Sequence, residues 1–448
     1  MPLPEDKMKL TLAALGMPIF IENIIRTSLL VVDQFMLNHY SEKAAAAMSS
    51  VNQLSFFIQL LYTMVAMGVT ILVSQGLGAG KKKEAGRTAL AGMIIMTLFS
   101  VAISIGVAFL AGPILGLYAL DEEVGRMAAR FLTIYGAGSF FMAMNIAQAS
   151  ILRAYGRSAD AMSVNVVALG VTILGNAISL YGLFGLPVLG ITGVAVSNVA
   201  GQFVAFWLMG MRIRSRKEIL IRWSESRSLP PKDYLSILRV GVPTAGENLS
   251  YNCAQIVVVS FIARMGTQTL AAYGLVVSLS RYILITGVSI GSAAQIKVGY
   301  LVGAGKQDEA YRKVWRYFAF GFCVSAVTAV ALNLAKAPLL SLFTPDRAIV
   351  AIAGSALVVS IIQEPGRSFN TIVLPGLKGS GDTLFPVMVG ILFQWGVGVC
   401  LAWLFGLKLG LGLTGVWMAM ACDEWSRGIA NSLRWKSGAW RSKILVRD

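Results

Sequence analysis

Long apolar stretches recur along the chain with short polar interruptions, and they predict helices near 10–40, 47–77, 88–118, 124–152, 160–183, 188–211, 235–264, 269–302, 314–343, 348–375, 384–406 and 410–433. Each is long enough for the roughly 20 residues that cross the hydrocarbon of a bilayer. The pattern therefore predicts an all-α integral membrane protein with twelve transmembrane helices. The opening MPLPEDKMKLTLAAL has acidic residues ahead of its lysines and no small-residue cleavage site, so the first stretch is expected to be a permanent span, not a removable signal.

The chain also repeats itself. At a shift of 225 residues, GAGKKKEAGR (78–87) aligns with GAGKQDEAYR (303–312) at seven identical positions of ten. The same shift aligns Gly16, Pro18, Glu22 and Asn23 with Gly241, Pro243, Glu247 and Asn248, VNQLSFF (51–57) with VVSLSRY (276–282), and ILRAYGRS (151–158) with GLKGSGDT (376–383). Helices 1–6 thus repeat as helices 7–12. Six is an even number, so the two copies enter the membrane alike, as parallel repeats about an axis along the membrane normal. The expected organisation is an N-lobe over 1–211, a linker over 212–234 and a C-lobe with its tail over 235–448.

Of the 448 residues, 56% are hydrophobic and 13% charged, about half the charged fraction of an ordinary soluble domain, roughly 25%. The formal charge of +16 would suggest nucleic acid in a soluble chain. Here location gives another reading. Of the 38 Lys and Arg, 26 fall at the termini and in alternate loops on one side, seven on the other side, and five (Arg26, Arg281, Lys297, Arg367, Arg427) inside apolar runs. The basic side is expected to be cytoplasmic, with both termini inside the cell at the plasma membrane and no nucleic-acid partner.

The four cysteines, Cys253, Cys323, Cys400 and Cys422, form no metal or disulfide spacing and read as small packing residues, and one histidine excludes a multi-histidine centre. The GAGK segments lack the G-x-x-x-x-G-K-[ST] pattern and read as capped turns, which leaves an ion gradient as the energy source. With no nucleophile–base pair in sight, the chain is not expected to be an enzyme. Nine tryptophans and 19 methionines suit an adaptable cavity, although Trp435 and Trp440 are expected at the headgroup belt.

A charged residue within a span costs about 2.5–3.5 kcal/mol on insertion scales, which makes each one a functional candidate. Helix 1 carries Glu22, Arg26 and Asp33, all within about 40° of one another around the helix, and the i,i+4 spacing lets Glu22 meet Arg26. Glu22 and its mate Glu247 suggest a duty common to both lobes, such as holding backbone loosened by Pro18 and Pro243. Asp33 has Val258 as its mate, so this carboxylate exists in one lobe only, which suits proton coupling. For Na⁺, oxygens of Thr172, Asn176 and Ser197 in helices 5 and 6 are on offer. Glu364 with Arg367, and Asp423 with Arg427 beside Glu424, have the spacing of internal ion pairs, whereas Arg281 and Lys297 have no evident partner.

These features together resemble the multidrug and toxic compound extrusion (MATE) family over essentially the whole chain. They are the two six-helix repeats, the G-x-P openings of helices 1 and 7, the GAGK…EA.R turns and the ILRAYGRS/GLKGSGDT pair. The resemblance implies a cation-coupled antiporter, using H⁺ or Na⁺ and no other cofactor, that exports amphipathic, mostly cationic drugs by alternating access. It implies that Asp33, fifteen residues after Pro18, is the coupling acid, with Asn176, Thr172 and Ser197 around it. A second aspartate near Asn176, found in DinF-like members, is missing. NorM-like acids of helices 7 and 10 fall here on Tyr251 and Arg367, with Glu247 and Glu364 about one turn away. Glu22, Arg26, Glu247, Tyr251, Glu364 and Arg367 are therefore candidates for substrate contact or coupling, and the protein is expected to work as a monomer in the bilayer. The alternative reading is a flippase for a polyisoprenyl-pyrophosphate sugar lipid, for whose headgroup Arg26, Arg281, Lys297 and Arg367 are suited.

Overall fold

In lipid a backbone N–H or C=O has no water to bond, so a spanning segment closes its hydrogen bonds internally as a helix. The computed structural model, which describes residues 10–116 and 120–446, does this at each apolar stretch. The first half contains α1 (Leu12–Tyr40), α2 (Glu42–Gly78), α3 (Lys82–Gly116), α4 (Glu122–Ala137 and Ser139–Ala154), α5 (Ser158–Tyr181) and α6 (Gly190–Ser215). The second contains α7 (Pro231–Arg264), α8 (Thr267–Gly303), α9 (Gln307–Leu334 and Lys336–Phe343), α10 (Arg347–Ser368 and Leu374–Ser380), α11 (from Leu384–Phe393 to Lys408) and α12 (Gly412–Lys436). Nine of these are long and apolar enough to cross a membrane by length and composition. The other three are α4, divided at Gly138, and the more charged α7 and α12. The charged N-terminal residues, with Lys7 and Lys9, lie outside the described residues.

Two compact units result: Met17–Leu77 with Lys81–Val242, and Pro243 onward with Gly78–Gly80 and the stretch ending at Gly16. The repeat extends to single hydrogen bonds. Lys81 N–H bonds Gly76 O at 2.9 Å and Lys306 N–H bonds Leu301 O at 2.8 Å, past the left-handed Gly80 and Gly305. Arg157 N–H bonds Leu152 O and Asp382 N–H bonds Leu377 O in the same way, past Gly156 and Gly381. All four turns are Schellman caps, which need a residue at positive φ.

The segment 212–234 is more than a tether. Glu218 pairs with Arg157 at 2.9 Å, Arg216 grips Asp160 at 2.8 Å, and the Leu220 carbonyl sits 2.0 Å from where a Cβ on Gly86 would stand. Shifted by 225, the C-terminal tail does likewise. The Lys443 carbonyl lies 2.2 Å from a Cβ built on Gly381, Arg441 pairs with Asp308 at 2.7 Å, and Gln307 donates to the Arg441 carbonyl. Each unit therefore ends in a strap across its own two basic turns.

The tail corrects the expectation for Trp435 and Trp440. Neither faces lipid: both are fully buried, stacked at 4.1 Å with the Trp440 indole donating to the Trp435 carbonyl, in a core with Val298, Leu301, Val314 and Leu377. Trp440→Ala should cost about 3 kcal/mol, the scale of emptying a buried aromatic site. A melting curve in detergent checks this, and an unchanged Tm overturns it. The cysteines also differ from expectation, being free thiols on exposed helix faces and not packing residues.

Candidate functional site

In the unit that begins at Met17, α1 brings Asp33 against α5. Asn176 Nδ2 donates to Asp33 Oδ1 at 3.1 Å; Asn176 is buried and Asp33 half-buried. The Asn176 Oδ1 is buried without a hydrogen-bond partner. Thr172 and Ser197 do not join this pair. Their hydroxyls donate to Ala168 O (3.1 Å) and Gly193 O (2.8 Å) on their own helices. Both lie in the α5–α6 seam, where small residues let helices approach closely. A Cβ on Gly201 would stand 2.1 Å from Thr172 Oγ1, and one on Gly175 would stand 2.5 Å from Ser197 Oγ. Thr172→Ala should therefore leave transport within about twofold, while Gly201→Ala overpacks the seam by about 1–3 kcal/mol. Measuring transport together with the yield of monodisperse protein tests this: Gly201→Ala should lose yield and Thr172→Ala neither, whereas loss of transport in Thr172→Ala at wild-type yield would make Thr172 a ligand.

Glu22 does not meet Arg26, which is exposed. Arg153 of α4 reaches both Glu22 oxygens, at 2.6 and 2.7 Å, and Asn165 of α5 donates to Oε1 at 2.8 Å. A buried carboxylate needs several donors, and here the Arg153 Nη2 group serves both oxygens while the Asn165 amide adds another donor. In the other unit the Lys378 ammonium donates to Glu247 at 2.6 Å. Lys378 is the repeat mate of Arg153, so one ion pair is built twice. The predicted spans 124–152 and 348–375 leave both cations in the following loops. The missed signal was that two opposite charges keep their signs at both copies of the repeat.

The second unit also holds a charged network. Arg367 bonds Glu364 (2.8 Å) and Glu424 (3.2 Å), while Arg427 bonds Asp423 (2.6 Å) and Glu424 (3.2 Å). Asn370, in the π-helical turn Phe369–Val373 of α10, donates to the Glu424 carboxylate at 2.7 Å. Such turns recur where a helix must present a side chain out of register. Tyr251, Gln394 and Asp423 line a cleft beside this network. Elsewhere in the unit, Lys297 is buried and donates to the Leu10 carbonyl at 2.9 Å, while Arg281 is exposed.

The MatE family model matches residues 18–178 and 243–404, two segments whose starts differ by the repeat shift. The uncharacterized transporter YisQ of Bacillus subtilis is 35% identical over 99% of this chain and 97% of its own length. The probable multidrug resistance protein NorM of Thermotoga maritima is 23% identical over 99% and 95%. The MATE transporter VcmN of Vibrio cholerae superposes with a TM-score of 0.90 at 17% identity, covering 99% of each chain. The doubled helical architecture and the doubled match have one explanation: the chain belongs to the MatE family and is a multi-pass membrane transporter, not an enzyme.

Proposed function

We propose that the protein is an antiporter that exports amphipathic, mostly cationic organic compounds, driven by H⁺ taken up at Asp33. The names of the NorM relatives support drugs as the substrate class. The observation that carries the coupling reading is a contrast among intramembrane carboxylates. Glu22, Glu247, Glu364, Asp423 and Glu424 are all ion-paired, whereas among the described residues no cation pairs with Asp33. An acid already neutralised by a fixed cation has little reason to take a proton; an unpaired one in apolar surroundings has ample reason.

Protonation makes Asp33 a donor, and the open Oδ1 of Asn176 is its acceptor once the amide rotates. That rearrangement differs between the two charge states, as a coupling ion must if it is to favour one conformation. Drug then favours the ion-free form by linkage. Na⁺ is less well served, because a hard cation collects several oxygens and the Thr172 and Ser197 hydroxyls are committed to their own helices.

The flippase reading loses support because Arg367 is engaged by two carboxylates and Lys297 by a carbonyl. By the same proposal the basic end of each lobe faces the cytoplasm of the plasma membrane, and the coupling unit corresponds to an N-lobe over 1–211. Ethidium export from proteoliposomes, with pH and Na⁺ gradients imposed separately, tests the reading. A pH gradient alone should drive it. Export driven only by Na⁺ would replace the ion, and export under neither would overturn drug antiport.

A further inference from the structure

Two contacts tie α1 to α5. Asn165 donates to Glu22 at 2.8 Å, and Asn176 donates to Asp33 at 3.1 Å. The sequence separation is 143 in both, and the rungs are eleven residues apart on each helix. Eleven residues is three turns plus about 20°, so both rungs lie on one face of each helix and share one register. The lower rung is fixed, since Arg153 holds Glu22 from the other side through both oxygens.

The repeat supplies an internal control. The Glu22–Arg153 pair has its copy in Glu247–Lys378, but the mates of Asn165, Asp33 and Asn176 are Gly390, Val258 and Leu401. At Gly390 a Cβ would stand 3.0 Å from Glu247 Oε1, so α11 packs against this carboxylate with little room for a side chain and supplies no amide donor there. The ion pair is therefore common to both lobes, whereas the Asn165 rung occurs only where the unpaired acid occurs.

We propose that Asn165 is a positioning residue for cation coupling: by locking α1 to α5 at Glu22, it sets the register in which Asn176 meets Asp33. This rests on the reading of Asp33 as the coupling acid. Asp33 is faced by Asn176 from α5. Among the described residues no ion-pair partner reaches it from α2, α4 or α6, and the nearest titratable or charged groups on its own helix, His39 and Arg26, are six and seven residues away. The rung therefore acts on Asp33 through helix register and not through charge.

The test uses the full-length protein in lipid nanodiscs and needs no transported substrate. Dicyclohexylcarbodiimide modifies protonated carboxyls in apolar surroundings, and mass spectrometry of the Asp33 peptide against pH gives a labelling midpoint. Asn165→Ala should move that midpoint by at least half a pH unit, about threefold in H⁺ concentration. Asn165→Ser, which keeps a donor, should move it less and serves if the alanine variant does not fold. In an Asn176→Ala background the Asn165 change should add nothing, because the upper rung through which it acts is gone. A wild-type midpoint in both Asn165 variants, or an equal shift with and without Asn176, would reduce Asn165 to a packing residue while leaving the Asp33 reading intact. No labelling of wild-type Asp33 at any pH would instead overturn the coupling reading itself.

Discussion

Asp33→Asn is expected to yield a protein that inserts and melts like the wild type but no longer exports ethidium against its gradient when a pH gradient is imposed. The substitution keeps the size of the side chain and an oxygen for the Asn176 donor. It also removes an unpaired carboxylate from half-buried surroundings, so stability should not fall. What it removes is the proton. Coupling free energies of about 1–3 kcal/mol correspond to 5–150-fold shifts in binding, and with that coupling gone export should fall to the level seen without a pH gradient. Downhill exchange of ethidium should survive, because drug binding and the conformational cycle do not require the proton. Measuring both fluxes in one preparation separates uncoupling from damage. Wild-type export driven by the pH gradient in the variant would remove Asp33 from the mechanism, whereas loss of both fluxes would place it in the drug path.

The helices and the repeat were legible because both are written in local chemistry. Apolar length fixes a span, and glycine at positive φ followed by lysine or arginine fixes a turn, so Gly80 and Gly305 show themselves twice. The isolation of Asp33 was legible for the same reason, as a charge with an apolar repeat mate, and among the described residues no cation pairs with it. The partners of the paired acids were not. Glu22 lies four residues from Arg26, yet its partner Arg153 is 131 residues away. Spacing ranks neighbours on one helix, whereas only packing shows which helix comes closer. Trp440 was misjudged on similar grounds: a tryptophan near a helix end reads as an interface anchor unless the tail is known to fold back over the turns. Thr172 and Ser197 have the oxygens of ligands, but sequence does not show that their hydroxyls bond their own helices opposite Gly201 and Gly175. The π-helical turns of α10 and α11 leave no mark in hydropathy, because the same side chains serve α and π windings.

The doubled ion pair carries the other large expected effect, and Lys378→Met is its sharpest form. Lys378 is 4% exposed and Glu247 7%, so the substitution strands a carboxylate where water does not reach it. Removing one partner of a buried pair costs about 3–5 kcal/mol, a large part of the roughly 5–15 kcal/mol that holds a typical domain together. Most of the protein should therefore be lost from the monodisperse fraction, with a strongly lowered Tm in what remains. Arg153→Leu should behave alike, although Asn165 still donates to Glu22 and should soften the loss. The pair need not be worth much in itself, because desolvation offsets most of its attraction. Combining Lys378→Met with Glu247→Leu should accordingly recover most of the stability. Melting curves of the single and double variants form a closed cycle. If Lys378→Met alone melts with the wild type, the repeated pair is not a staple. If the double variant is as poor as the single one, what matters is the shape of the site and not its charge.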